Sequence, residues 1–225
     1  MTAQMPPAEL DHASSAGIAA AIKARILAGG YGPGRRLTEM DLADEFAAGR
    51  GRVREAFRML VGEGYLAFVA NRGVLVRRYS REEILAMGRA REVLEGLAAR
   101  LAAERELSAD ERAGLARSQA EMDRLEAAVD LDAFSRENRA YHGLICTLAG
   151  NGHVTEFMGR VRLPLVRLQL PRSFSADSIG RSNRDHRVIT AAILSGTPEA
   201  AEAAMRAHVR AGNAHVATLP AEVFV

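Results

Sequence analysis

Three histidines, His142, His186 and His208, fall in helical stretches of the C-terminal two thirds of the chain, each on a side that carries apolar residues. His142 shares a face with Ile145 and Ala149, His186 with Ile189 and Ile193, and His208 follows Met205 by three residues. Asn138 precedes His142 by four residues. About 40° of helical rotation then separates the two, so an amide oxygen and an imidazole project together. A lone histidine on an apolar face is ordinarily a hydrogen-bonded core residue. Three on three helices, one with a polar partner a turn away, offer three nitrogens and one oxygen to a divalent metal if the helices converge, with positions left open for a ligand. Spacing alone leaves both readings standing. His12, His153 and His215 lie near helix ends or the tail and read as surface residues. Cys146 has no basic neighbour to activate it and reads as a small core residue. As the single cysteine, it excludes an intramolecular disulfide and suits a reducing cytoplasm.

A second set of side chains is cationic. In residues 49–60, GRGRVREAFRML, Val53, Ala56, Phe57 and Leu60 recur at i, i+3, i+4 and i+7 and form one apolar stripe. Arg50, Arg54 and Arg58 recur every four residues on another face, and Arg52 adds a fourth guanidinium near the helix start. An apolar back and an arginine front suit a helix lying in a nucleic-acid groove. A solvated amphipathic helix carries the same pattern. The net charge of +2 decides nothing by itself, but residues 1–80 hold 11 basic and 8 acidic side chains while the remainder is slightly acidic. Arginine supplies all basic residues except Lys23 along the whole chain, which fits codon bias better than a binding role.

The elements that would position these groups follow from caps and breakers. Residues 1–9 read as a disordered tail. Residues 10–27 are helical and end at Gly29 and Gly30. A turn and a loop carrying Arg35 and Arg36 lead to Thr38, an N-cap for a short helix to residue 46. Ala47, Ala48 and Gly49 connect it to the arginine helix, which is the helix-turn-helix arrangement. Residues 65–70 and 74–79 are rich in β-branched and aromatic residues, with Asn71, Arg72 and Gly73 between them: a β-hairpin with an arginine at its tip. Beyond it the pattern is helical throughout. Capping boxes at Ser80/Glu83 and Ser108/Glu111, a cap at Asp130, stops at Gly150 and Gly152, a proline kink at Pro164, a loop over residues 171–181, a helix over 182–194 and a last helix after Thr197 and Pro198 mark its elements. The expected fold is mainly α: a winged helix-turn-helix with a small β-hairpin wing over residues 10–79, then an all-α bundle over residues 80–220 for effector binding and dimerisation. No apolar stretch approaches ~20 residues, so no membrane partner is expected, and MTAQMPPAEL lacks the basic start and apolar run of a signal peptide.

The first part resembles the DNA-binding domain of GntR-family bacterial transcription regulators over about residues 15–78, on PGRRLTEMDLADEF, RGRVREAFRMLVGEGYL and NRGVLV. The resemblance implies that Arg50 and Arg54 contact operator bases and phosphates, that Arg35 or Arg36 contacts a phosphate, and that the wing tip at Arg72 and Gly73 meets the minor groove. It also marks departures: Ala47 stands where the family has glycine, Gly49 where it has serine and Arg52 where it has proline. Ala47 would strain the turn by ~1 kcal/mol if that position requires positive φ, and Arg52 would add a contact or shift the operator preference.

The second part resembles the FCD-type ligand-binding domain of the FadR subfamily over about residues 89–210, on RAREVLEGLAARLAAE, NRAYHGLICTLAGN, DHRVITAAI and EAAMRAHV. The resemblance implies that Asn138, His142, His186 and His208 hold a divalent metal, zinc or nickel, with manganese also open. Asparagine is a weaker, neutral ligand where the family usually has aspartate. It further implies that Arg91 stands at the cavity, where a guanidinium beside a metal suits a small carboxylate effector. Pairing with Glu95 at i+4 is the alternative for Arg91. The expected function is a cytoplasmic, homodimeric, ligand-responsive transcription regulator, a repressor by family habit, on a double-stranded DNA operator. A ligand-independent regulator with a histidine-filled core is one alternative. A metal-dependent hydrolase or lyase is the other, and it lacks a general base beside the ligands, a nucleophile elbow and a phosphate loop.

Overall fold

The computed structural model describes residues 14–161, 170 and 175–224. The expected tail over 1–9, the first turn of the opening helix, His12, the Pro164 kink and the start of the 171–181 loop lie outside the described residues. The chain divides into two compact units, separated in sequence between Tyr79 and Ser80.

In the first unit, α1 (Ser15–Leu27) starts at Ser14, whose hydroxyl accepts from the Gly17 N–H at 3.0 Å. Thr38 caps α2 (Glu39–Glu45) in the same way through Asp41. The arginine helix is α3 (Arg50–Gly62), and its apolar stripe of Val53, Ala56, Phe57 and Leu60 is buried in the same core as Ile18, Ile22 and Ile26 of α1. The wing is a sheet of three strands, β1 (Arg36–Leu37), β2 (Leu66–Val69) and β3 (Gly73–Val76), antiparallel in the order β1-β3-β2. Arg36 therefore lies on a strand and not on the expected loop, pairing with Leu75. Two residues are too few to show the alternation that marks a strand in sequence. At the wing tip Asn71 has φ 62° and Gly73 has φ 82°, so the turn needs residues that tolerate the left-handed region.

In the second unit, capping boxes at Ser80/Glu83 and Ser108/Glu111 open α4 (Arg81–Glu104) and α5 (Ala109–Ala127), and Asp130 caps α6 (Leu131–Leu148). Helix α7 is Gly152–Val161. Helix α8 (Ala176–Leu194) begins six residues before the expected start at residue 182, because Ser175 and Ser178 form a capping box and the helix runs through Gly180. A polar run containing a glycine reads as a loop from sequence alone. Helix α9 (Pro198–Thr218) has Pro198 at its first position, but Thr197 makes no side-chain cap bond. Its hydroxyl is instead 3.0 Å from that of Ser195. Among the described residues no strand follows the wing.

Helix α4 runs through the middle of this bundle. Ala98, Ala99, Ala102 and Ala103 are its core face. Gly88 and Gly96 let α9 close upon it: a Cβ on Gly96 would fall 2.5 Å from the Arg206 side chain. At the far end Phe224 is buried and the Arg81 guanidinium lies 4.8 Å from its ring centroid, so the chain packs back on the start of α4.

Among the described residues three non-glycine residues have positive φ: Asn71, which tolerates it, and Ala47 and Val129, which carry strain. Ala47, between α2 and α3, has φ 47°, and Val129, after α5, has φ 54° although it is β-branched. Val129 is half exposed and contributes little to the core. Ala47→Gly and Val129→Gly are each expected to raise stability by about 1 kcal/mol. The check is a higher midpoint of urea unfolding at unchanged slope.

Candidate functional site

Three helices bring the histidines together. His142 comes from α6, His186 from α8 and His208 from α9, and one ring nitrogen from each lies within 4.8 Å of the others. His142 and His186 are buried, and the His208 side chain is 13% exposed. His186 Nε2 and His208 Nε2 are 3.2 Å apart. The ring of His142 stacks on His208 with centroids 5.2 Å apart and meets His186 edge-on at 5.4 Å.

Carboxylates orient two of the rings. Glu95 of α4 is 1% exposed, and its Oε2 accepts a short hydrogen bond from His142 Nδ1–H. Asp185 Oδ2 lies 3.3 Å from His208 Nδ1. When such a ring is neutral, its proton sits on the nitrogen that faces the carboxylate and Nε2 is left as the acceptor. The remaining oxygen of Glu95 is held by Arg91, whose Nε and Nη2 lie 2.9 and 2.8 Å from Oε1. A buried carboxylate is thus satisfied from both sides, as its burial requires.

The third ring rests on a polar scaffold. Tyr141 of α6 donates to the His186 carbonyl at 3.1 Å or bonds the Thr190 hydroxyl at 2.8 Å, and Thr190 donates to Gln119 of α5 at 3.3 Å. Gln119 donates to Asn183, and Asn183 donates to Asp123 and Glu126. Arg187 closes the network at the surface on the same two carboxylates. Burial pushes the Tyr141 phenol above its ordinary range, so it stays a hydrogen-bond donor.

Among the described residues, two buried side-chain polar atoms lack a hydrogen-bond partner: Asn138 Oδ1 and His186 Nδ1. Asn138 stands one turn before His142 on α6. An orphan amide oxygen one turn before His142, together with three imidazole nitrogens within 4.8 Å of one another, is a donor set that a divalent cation would satisfy. The residues therefore fit a metal. Glu95 and Asp185 would offset its charge from outside the ligand set, where Asn138 is neutral.

The structure brings His142, His186 and His208 together, sets Asn138 a turn away on the same helix, and holds Arg91 on Glu95, the i+4 pairing open from sequence. The sequence reading missed the inward role of Glu95 and the support from Asp185 and Tyr141. Glu95 sits between Leu94 and Gly96 on an apolar helix, which was the available signal. Cys146 is buried in the bundle core.

The residues expected to contact DNA are all in the first unit. Arg50, Arg52 and Arg54 are exposed along α3. Arg35 donates to the Gly30 carbonyl at 3.0 Å and lies over the Tyr31 ring at 4.6 Å. The Arg36 side chain reaches within 4 Å of where a Gly73 Cβ would stand, next to exposed Arg72 at the wing tip. Arg54 pairs with Glu39 of α2.

Residues 86–211 match the model of the FCD domain, and residues 14–76 match that of the bacterial regulatory proteins of the gntR family. The chain is 28% identical to a "Probable D-xylose utilization operon transcriptional repressor" of Paenarthrobacter nicotinovorans, over 79% of this chain and 77% of that one. It is 27% identical to the HTH-type transcriptional repressor GlaR of Escherichia coli (strain K12), over 84% and 89%. In fold it is similar to a transcriptional regulator GntR from Rhodococcus sp. RHA1, with a TM-score of 0.73 at 22% identity, covering 92% and 98% of the two chains.

His186 gives the site a pH dependence. Burial holds its pKa well below the ordinary imidazole value, His208 and His142 lower it further, and Glu95 opposes them. Below ~6.5 the unfolded chain binds a proton that the folded chain refuses, so stability present above that pH is lost as pH falls. Chelator-treated protein should lose about 1 kcal/mol of stability per pH unit there from this group. Urea unfolding of wild type and His186→Gln checks it; the variant should show the shallower slope.

Proposed function

The chain belongs to the GntR family of bacterial transcription regulators with an FCD domain, and from that premise we propose that it is a homodimeric repressor that senses a small carboxylate through a metal centre in its helical unit. One observation carries the sensing role: the three converging imidazoles, two of them fixed by carboxylates, with the orphan Asn138 oxygen one turn before His142. His142, His186, His208 and Asn138 would hold zinc, nickel or manganese. The bound metal would supply a positive, oxygen-seeking centre for one end of a carboxylate. Arg91 would take the same anion through the guanidinium edge that Glu95 does not use.

The DNA side of the proposal rests on α3 and the wing. Arg50, Arg52 and Arg54 would face base edges and phosphates in the major groove, Arg35 or Arg36 a phosphate, and Arg72 with Gly73 the minor groove. Two copies would read two half-sites of a cytoplasmic double-stranded operator. Repression follows the two relatives, both named as transcriptional repressors. Effector binding would shift the population between DNA-competent and DNA-incompetent arrangements. The proposal assigns no catalytic residue.

Metal analysis of untagged protein tests the centre. At a hundredfold excess over the dissociation constant, zinc or nickel should stabilise chelated protein by about 2.7 kcal/mol. Glu95→Gln should weaken metal binding about 10- to 100-fold by freeing the His142 ring, and Asn138→Asp should tighten it. Absence of any stabilisation would favour a ligand-independent regulator whose histidines fill the core.

Selection on genomic fragments tests the DNA role. Wild type should recover a short near-palindrome that Arg50→Ala does not.

A further inference from the structure

Glu39 is the first residue of α2, and Arg54 stands in the middle of the α3 arginine row. Arg54 Nε and Nη2 donate to Glu39 Oε1 and Oε2 at 2.7 Å each, a two-pronged pair on an exposed surface. Glu39 also lies in the field of Arg50 and Arg58, so one carboxylate sits among three arginines of the proposed DNA face. On a surface built only to hold phosphates that charge would be a liability, because it repels the backbone and cancels a cation.

The geometry suggests what it does. A guanidinium has two usable edges, Nε–Nη2 and Nη1–Nη2. The carboxylate occupies the first and leaves the second, whose paired N–H groups match guanine O6 and N7. A phosphate oxygen accepts from a guanidinium in many orientations, whereas a base edge accepts only in its own plane. Holding the plane in advance removes rotamer freedom that would otherwise be lost on binding. The constraint therefore helps base reading and does nothing for phosphate binding.

We propose that Glu39 is a specificity-determining positioning residue, which holds Arg54 so that its outer edge reads one guanine in each operator half-site. This rests on the DNA-reading role given above and extends it to a residue that carries the wrong charge for DNA.

The test is selection of full-length wild type, Arg54→Ala and Glu39→Ala on a randomised duplex library, with affinity for a non-specific duplex and thermal stability measured alongside. Wild type should enrich a motif in which one guanine position disappears with Arg54→Ala. Glu39→Ala should weaken the preference at that same position about tenfold and keep the others. It should also bind the non-specific duplex about two- to fivefold more tightly, since a negative charge has been removed. A merely structural role would lower thermal stability and weaken all positions together, which overturns the proposal. An unchanged motif in Glu39→Ala overturns it also, while leaving the DNA role intact. A library from which wild type enriches nothing overturns both.

Discussion

The carboxylate of Glu95 is the interaction on which the helical unit depends. It is almost wholly buried, and a buried charge persists only if its oxygens are met by donors. Arg91 meets one oxygen from the same helix and His142 meets the other from α6. That requirement fixes the register of α4 against α6, the tautomer of His142 and the plane of Arg91 at one stroke. The small residues of α4 serve the same end, since Gly96 lies next to Glu95 and lets α9, which carries His208, approach. The polar scaffold of Tyr141, Thr190, Gln119 and Asn183 holds α8 and His186 from the opposite side. A centre made from three helices needs such supports, because each helix is otherwise free to slide by fractions of a turn on apolar contacts.

Much of this was legible in the sequence where the determinant is local. The capping boxes of α4 and α5, the Asp130 cap and the stripe of α3 span three to seven residues and are found where they were read. The faces of His142, His186 and His208 followed from helical periodicity, and Ala47 has the positive φ on which its expected strain depended. The rest depends on partners far along the chain. Glu95 is 47 residues from His142, Asp185 is 23 from His208 and Glu39 is 15 from Arg54. No local pattern announces such pairs. Strand β1 exists only because β3 is there to pair with it, and α8 starts early because a serine pair outweighs the glycine that follows.

Family membership fixes the kind of protein, and the geometry gives it individual features. In the proposed metal centre, asparagine at 138 would bring no charge to the ligand set, while Glu95 and Asp185 would supply two charges one bond further out. A metal held there would be neutralised through its imidazoles and not by direct ligation, which would keep their nitrogens basic without making the metal's remaining positions electron-rich.

Arg54 and Arg91 share one feature with a wider consequence. Each guanidinium is already joined along its Nε–Nη2 edge to a glutamate, on α2 in one unit and on α4 in the other. From a distance such a pair is electrically almost silent, so chloride and other round monovalent anions of the cell gain little by approaching. In the proposed roles, a planar acceptor with two teeth, a base edge at one place and a carboxylate at the other, would find the row of hydrogens that remains. These two guanidiniums would thereby be partly insulated from ionic background, and would answer to shape before charge.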